Sequence, residues 1–154
     1  MYRHTVCTVE CTYILRRTYR HEFHHMLNVV NVKAHRIALT GLILSSHNLH
    51  IETGRWTRPV TQQIHRYCVT CPGKIEDEYH LVIECPQYLD IRNRLIPHYY
   101  RIRPSMFKLG KLFNTDNSKL IRCLAKFVYC ALKDRIWLNY IICIIYVNME
   151  TLNM

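Results

Sequence analysis

Glycine and proline are scarce in this chain, with four glycines and five prolines in 154 residues. So few turn-formers argue against a dense all-β architecture, and the apolar-periodic stretches have helical length. Long apolar runs are missing too. The longest, WLNYIICIIYV from Trp137 to Val147, is eleven residues broken by Asn139, short of the ~20 that span a bilayer. It reads as a buried helix, a sticky tail or a weak membrane contact, with burial or a tail favoured and no clear membrane partner. The first residues lack an uninterrupted apolar segment followed by a small-residue cleavage site, so secretion is not expected. An intracellular setting, nuclear or cytoplasmic, is expected instead. There, eight cysteines are reduced thiols or metal ligands rather than a disulfide framework.

What is present is the composition of a globular chain, 49% hydrophobic, with a strong basic excess of +10 and a pI of about 9.4. Such a charge fits an acidic partner, nucleic acid above all, although it also fits a merely soluble surface. The distribution is more informative than the total. Residues 1–67 carry +6, residues 68–85 carry −3 and residues 86–154 carry +7. An acidic centre thus lies between two basic flanks.

Apolar periodicity predicts a helix over 11–30 and another from about Val32 to Leu44, with Ala34, Ile37, Ala38, Leu39, Leu42 and Ile43 inward. LHIET alternates apolar and polar residues in the manner of a short strand, with Gly54 supplying the turn that follows. Pro72-Gly73 marks a hairpin turn, and EDEYHLVIEC reads as a helix whose first residues, Glu76, Asp77 and Glu78, suit the positive end of its dipole. Pro86 interrupts that helix or begins the next, QYLDIRNRLI. A short helix near Ser105–Phe113 and a long one capped by Ser118 complete the pattern. In the last, Leu120, Leu124, Phe127, Val128, Ala131 and Leu132 face inward. The expected fold is mainly α, several short helices around a small zinc knuckle made of a hairpin plus a helix. Its parts are an N-terminal helical segment (1–60), the knuckle (61–90), a C-terminal helical segment (91–136) and an apolar tail (137–154).

The knuckle carries the chemistry. Cys68-x2-Cys71 places two sulfurs on one side of a tight turn, and His80 and Cys85 follow about a helical turn further on. Three thiolates and one imidazole fill a tetrahedron and leave no position for water, so the expected Zn2+ is structural. On an ideal α-helix, however, residues five apart diverge by about 140°. The helix is therefore expected to end or tighten before Cys85. By formal count the zinc-loaded knuckle carries about −4, a poor surface for a phosphate backbone. Nucleic-acid contacts are therefore expected on the flanks, at Arg55, Trp56, Arg58 and Arg66 before it and Arg92, Arg94, Arg101 and Arg103 after it. Trp56 between two arginines, and Tyr99-Tyr100 beside Arg101, combine stacking with phosphate contact. The competing reading makes the aromatics core residues and the arginines solvent-facing.

A second metal pattern, His21-Glu22-Phe23-His24-His25, matches His-Glu-x-x-His, in which His21 and His25 bind zinc and Glu22 is the general base. No third ligand is specified, and the short segment has no room for a substrate cleft. A solvent-facing histidine cluster accounts for it better than a metalloprotease.

Read together, ALTGLILSSHNLHIETGRW and CVTCPGKIEDEYHLVIECPQY resemble the reverse-transcriptase zinc-binding region that lies downstream of the polymerase in non-LTR retrotransposons. The resemblance covers about residues 12–135 and is most specific over 37–88. It rests on Ser45-Ser46-His47, Ile51-Glu52-Thr53-Gly54-Arg55, Cys68, Cys71, Glu76-Asp77-Glu78-Tyr79-His80 and Cys85-Pro86. It implies a zinc-dependent module that helps a polymerase hold its RNA or DNA target. Basic residues common in similar sequences are replaced here near Gly41 and Ile43, which weakens backbone contact from that helix. No paired-aspartate polymerase motif is present, so the expectation is a non-enzymatic fragment with RNA or DNA and the retroelement polymerase as partners, and no small-molecule substrate. The alternatives are a protein-interaction or purely structural zinc domain, or a relic without a selected role.

Overall fold

A computed structural model of the chain describes the backbone of Met26 and of residues 28–152, with side chains described through Ile136. Of the helix expected over 11–30 only the end is described, where Val30 N donates to Met26 O at 3.1 Å; the rest of it, the zincin-like His21, Glu22 and His25, and Cys7, Cys11 and Cys143 lie outside the described residues or side chains. Among those described, the fold is mainly helical, with no strand beyond a single antiparallel bridge between Tyr67 and Ile75.

Helix α1, Lys33–Ile43, packs against the long terminal helix α6, Ser118–Leu152. Leu39, Leu42 and Ile43 of α1 meet a stripe on α6 made by Ile121, Leu124, Ala125, Phe127, Val128 and Ala131, all buried. The α6 stripe follows the helical period. Leu120 and Leu132, at its edges, are partly buried. Ala34 and Ile37 of α1 face outward, because the helical period puts them opposite the Leu39–Leu42 seam. Helix α6 passes through residue 137 without a backbone break.

The end of α1 is built by its neighbours. Ser45 adopts a left-handed φ of 54°, the Ser46 amide donates to Gly41 O at 2.7 Å, and the Ser45 amide donates to Leu42 O at 3.3 Å. This pairing is a Schellman stop. A Cβ on Gly41 would lie 2.8 Å from the Ser46 carbonyl oxygen, so the stop requires glycine there.

LHIET is not a strand. His50–Thr53 form one helical turn, α2, whose Ile51 is buried and whose amides lean on the knuckle: His50 N donates to Glu76 Oε2 at 2.7 Å and Ile51 N to Glu76 O at 3.1 Å. Gly54 does begin the turn that follows, at an ordinary φ of −63°. It is glycine because a Cβ would come within 2.8 Å of the Arg66 side chain.

After the knuckle come α3 (Leu89–Leu95), α4 (His98–Arg101) and α5 (Met106–Phe113). Ser105 caps α5 by accepting from Lys108 N at 3.3 Å. The cap of α6 is Asn117 rather than Ser118: its Oδ1 accepts from Lys119 N at 3.0 Å and Leu120 N at 3.1 Å. No described helix is long and apolar enough to cross a membrane.

Candidate metal centre

The Cys68 amide donates to Lys74 O at 2.7 Å and the Cys71 amide to Cys68 O at 3.3 Å, while Gly73 takes the positive φ of 80° that closes the turn. This hairpin aims the first two sulfurs inward. Opposite it, Asp77 Oδ1 accepts from the His80 amide at 2.7 Å. That contact starts the helix carrying His80, as an N-cap does.

The helix then widens instead of tightening. His80–Glu84 are a π-helical turn, and Cys85 N donates to His80 O at 2.7 Å across five residues. The wider winding cancels much of the divergence an α-helix imposes and returns Cys85 beneath His80. Pro86 then opens a 3-10 turn, Pro86–Tyr88, as its missing N–H allows.

The Cys68–Cys85 and Cys71–Cys85 sulfurs are each 3.9 Å apart. Sulfurs around tetrahedral zinc at ~2.3 Å are separated by about 3.8 Å, so the spacing suits a shared ion. It is far too long for a disulfide, at about 2.05 Å. With His80, all four ligand atoms lie within 4.8 Å of one another. Cys68, His80 and Cys85 are buried and Cys71 is half-buried. Both His80 ring nitrogens are buried without a hydrogen-bond partner. An unpaired buried group of this kind costs about 1–3 kcal/mol, which ligation removes.

The electrostatics point the same way. Contact with Cys85 draws the Cys68 thiol down to about 3, and the same contact pushes Cys85 upward. Burial opposes charge on His80, yet the Cys68 sulfur and the Glu84 carboxylate, 3.6 Å from Nδ1, together raise its pKa. Sulfurs this close cannot all ionise without a cation among them. Thr70 Oγ1 stands 3.3, 3.6 and 3.7 Å from the sulfurs of Cys68, Cys71 and Cys85. The group can hold a metal ion, and its three thiolates and one imidazole suit zinc with every position taken by protein.

The acidic residues do not form an outward face. Glu76, Asp77 and Glu78 are all buried. Arg135 grips Glu76 with both nitrogens, Nε to Oε1 at 2.7 Å and Nη2 to Oε2 at 2.5 Å, from 59 residues away. His47 Nε2 lies 3.0 Å from Glu78 Oε1. The Leu49 amide donates to His47 Nδ1 at 3.4 Å, which leaves Nε2 to carry the proton toward Glu78. Burial pushes the Asp77 carboxyl up to about 6. The negative count of the knuckle is therefore mostly internal, and repulsion of a phosphate backbone by its surface is not supported.

Two of the eight expected nucleic-acid contacts are structural instead. Arg66, 8% exposed, donates Nε to Thr61 O at 3.0 Å and Nη1 to Ile51 O at 2.7 Å, tying the loop after α2 to α2 itself. Arg92, 2% exposed, donates Nε to Val82 O at 2.7 Å and Nη2 to Leu81 O at 3.0 Å and Cys85 O at 2.8 Å. It takes the carbonyls that the end of the π turn leaves open, and its guanidinium lies over the Phe127 ring of α6. Arg55, Trp56, Arg58, Arg94 and Arg103 are exposed, and Arg101 is half-buried. Six of the eight are therefore at least partly accessible to a ligand.

The sequence reading gives Thr70 and Glu84 no role, and gives Asp77 only that of a charge at a helix N-terminus, not a side-chain cap. Asp77 had a readable signal, an N-cap type three residues before His80; Thr70 had only its place inside Cys-x2-Cys. Comparison with known protein families, with curated proteins and with solved structures finds no match.

Proposed function

We propose that this chain is a non-enzymatic, zinc-stabilised module that holds single-stranded RNA or DNA, derived from a non-LTR retrotransposon polyprotein and working beside its polymerase. The observation that carries this reading is Trp56, which is 82% exposed between the exposed Arg55 and Arg58. An indole left in water, flanked in sequence by two exposed arginines, offers a stacking surface with cations for phosphate nearby in the chain. Arg55 keeps a 3.3 Å ion pair with Glu52, so it is held in place while exposed. The zinc centre fixes the hairpin on which the Arg66 clamp rests, and Arg66 in turn fixes the loop that presents Trp56.

The test is fluorescence anisotropy of a short labelled single-stranded RNA with zinc-loaded chain at low salt. Trp56→Ala is expected to weaken binding roughly 5- to 150-fold, the range for one stacked base at ~1–3 kcal/mol. Arg55→Glu/Arg58→Glu is expected to weaken it further and flatten its salt dependence. Absence of RNA binding by the unaltered chain at low salt sinks the proposal.

A second reading, a protein-interaction module, draws on Ile37 of α1 and on Leu44 just after it, both exposed. It predicts no salt-dependent RNA affinity.

A further inference from the structure

We infer that an open cleft between α3, α4 and the start of α6 is a phosphate seat for the same nucleic-acid strand; the inference rests on the nucleic-acid reading above. The cleft has a volume of about 400 Å³, and Asn93, Arg94, His98, Arg101, Lys119 and Cys123 are among its walls. That volume falls within the roughly 300–1,000 Å³ of ligand sites.

No carboxylate lines the cleft. Among the described residues, none of the ion pairs involves Arg94, Arg101 or Lys119. Three permanent cations therefore face one cleft without a counter-charge. Their summed positive potential favours entry of an anion and is weakened by salt.

Arg101 is prepared for such a ligand. Its Nε donates to Ile96 O at 3.0 Å and its Nη1 to Asn93 Oδ1 at 2.5 Å, which fixes the plane of the guanidinium. Its Nη2 has no described partner, so one edge of a rigid fork remains for a phosphate oxygen. The backbone amides at the start of α6 are not the donors, because Asn117 already accepts from those of Lys119 and Leu120. Recognition falls to the side chains. The walls are mostly exposed residues, so the site is a cleft that a polymer can enter and leave. That favours one phosphodiester of a continuing strand over an enclosed free anion.

Cys123 gives a local readout, since it is a half-buried free thiol in the cleft wall. The experiment uses the full zinc-loaded chain, with alkylation of Cys123 followed by peptide mass spectrometry and RNA affinity measured in parallel. Single-stranded RNA is expected to slow Cys123 alkylation severalfold. Arg94→Glu/Lys119→Glu is expected to weaken RNA binding about tenfold and to reduce the salt slope by about 1–2. Both positions are exposed, and unchanged zinc content and helical circular dichroism confirm the fold; Arg94→Gln/Lys119→Gln is expected to give a smaller loss. Adenosine monophosphate at the same phosphate concentration distinguishes a strand from a free nucleotide. Shielding by the nucleotide but not by RNA overturns the inference. RNA binding that survives the double reversal, yet is lost in Arg55→Glu/Arg58→Glu, overturns the cleft and leaves the nucleic-acid reading standing. No RNA binding by the unaltered chain overturns both.

Discussion

The Cys85 amide donates to the His80 carbonyl at 2.7 Å, across five residues where an α-helix would span four. This one bond decides whether the fourth ligand reaches the other three. Arg92 holds the neighbouring carbonyls of the same turn, those of Leu81, Val82 and Cys85. The metal centre and the π turn are therefore one construction, and α6 supports it through Phe127.

Zinc itself is the first expectation. Native mass spectrometry of the purified chain should show one zinc, lost with a strong chelator and lost in Cys68→Ser. Structural zinc contributes on the order of 10 kcal/mol in comparable small sites, so removal should lower the melting temperature sharply. Equal thermal stability with and without chelator overturns the site.

Arg92→Lys should destabilise the chain by about 2–4 kcal/mol in urea unfolding. An ammonium is a point donor and cannot reach three carbonyls from one plane, while its charge stays buried. Zinc affinity should fall with it, because the π turn loses its carbonyl partners. A loss below about 0.5 kcal/mol, typical of surface positions, would place the guanidinium in solvent.

Glu76→Gln or Arg135→Met alone should each cost about 3–5 kcal/mol, since either leaves a buried partner uncompensated. The double variant should recover a large part of that loss. A double-mutant cycle by denaturant unfolding measures the coupling, and simple additivity would refute the pairing.

Asp77 sets a pH dependence. Its carboxyl has a pKa of about 6 in the folded chain against 3.8 as a free side chain. Below the lower value both states are protonated and folding carries no penalty. Between about 3.8 and 6 the unfolded chain releases this proton while the folded chain keeps it buried, so stability is lost as pH rises and levels off above about 6. Asp77→Asn keeps an oxygen for the His80 amide and removes that penalty. Relative to the unaltered chain it should gain on the order of 2–3 kcal/mol between pH 4 and pH 7. Comparing the two chains at each pH cancels the shared effect of proton competition for the thiolates. A difference that does not change with pH would show that Asp77 ionises freely.

Much of this was readable along the chain because it is local. The Cys68-x2-Cys71 turn depends on a few neighbouring torsions, and Gly73 provides the one that is left-handed. The Leu124, Phe127, Val128 and Ala131 stripe follows from 3.6 residues per turn, and it is buried as its period requires. Residue types and spacing were sufficient to name the four metal-binding candidates and the mainly helical class.

Tertiary structure decided the fate of the charges. Nothing near Arg66 or Arg92 in sequence marks them as buried, and their exposed neighbours Arg58 and Arg94 look the same in a linear reading. Burial depends on which carbonyls the fold brings within reach, at Ile51 and Thr61 for one and at Leu81, Val82 and Cys85 for the other. The acidic trio was assigned to a helix dipole, but its partners Arg135 and His47 arrive from 59 and 31 residues away. Periodicity and ligand spacing constrain geometry over one or two turns of chain. A charge enters the interior only where a distant partner offsets its lost hydration, and that partner is chosen by the packing of α1, the knuckle and α6.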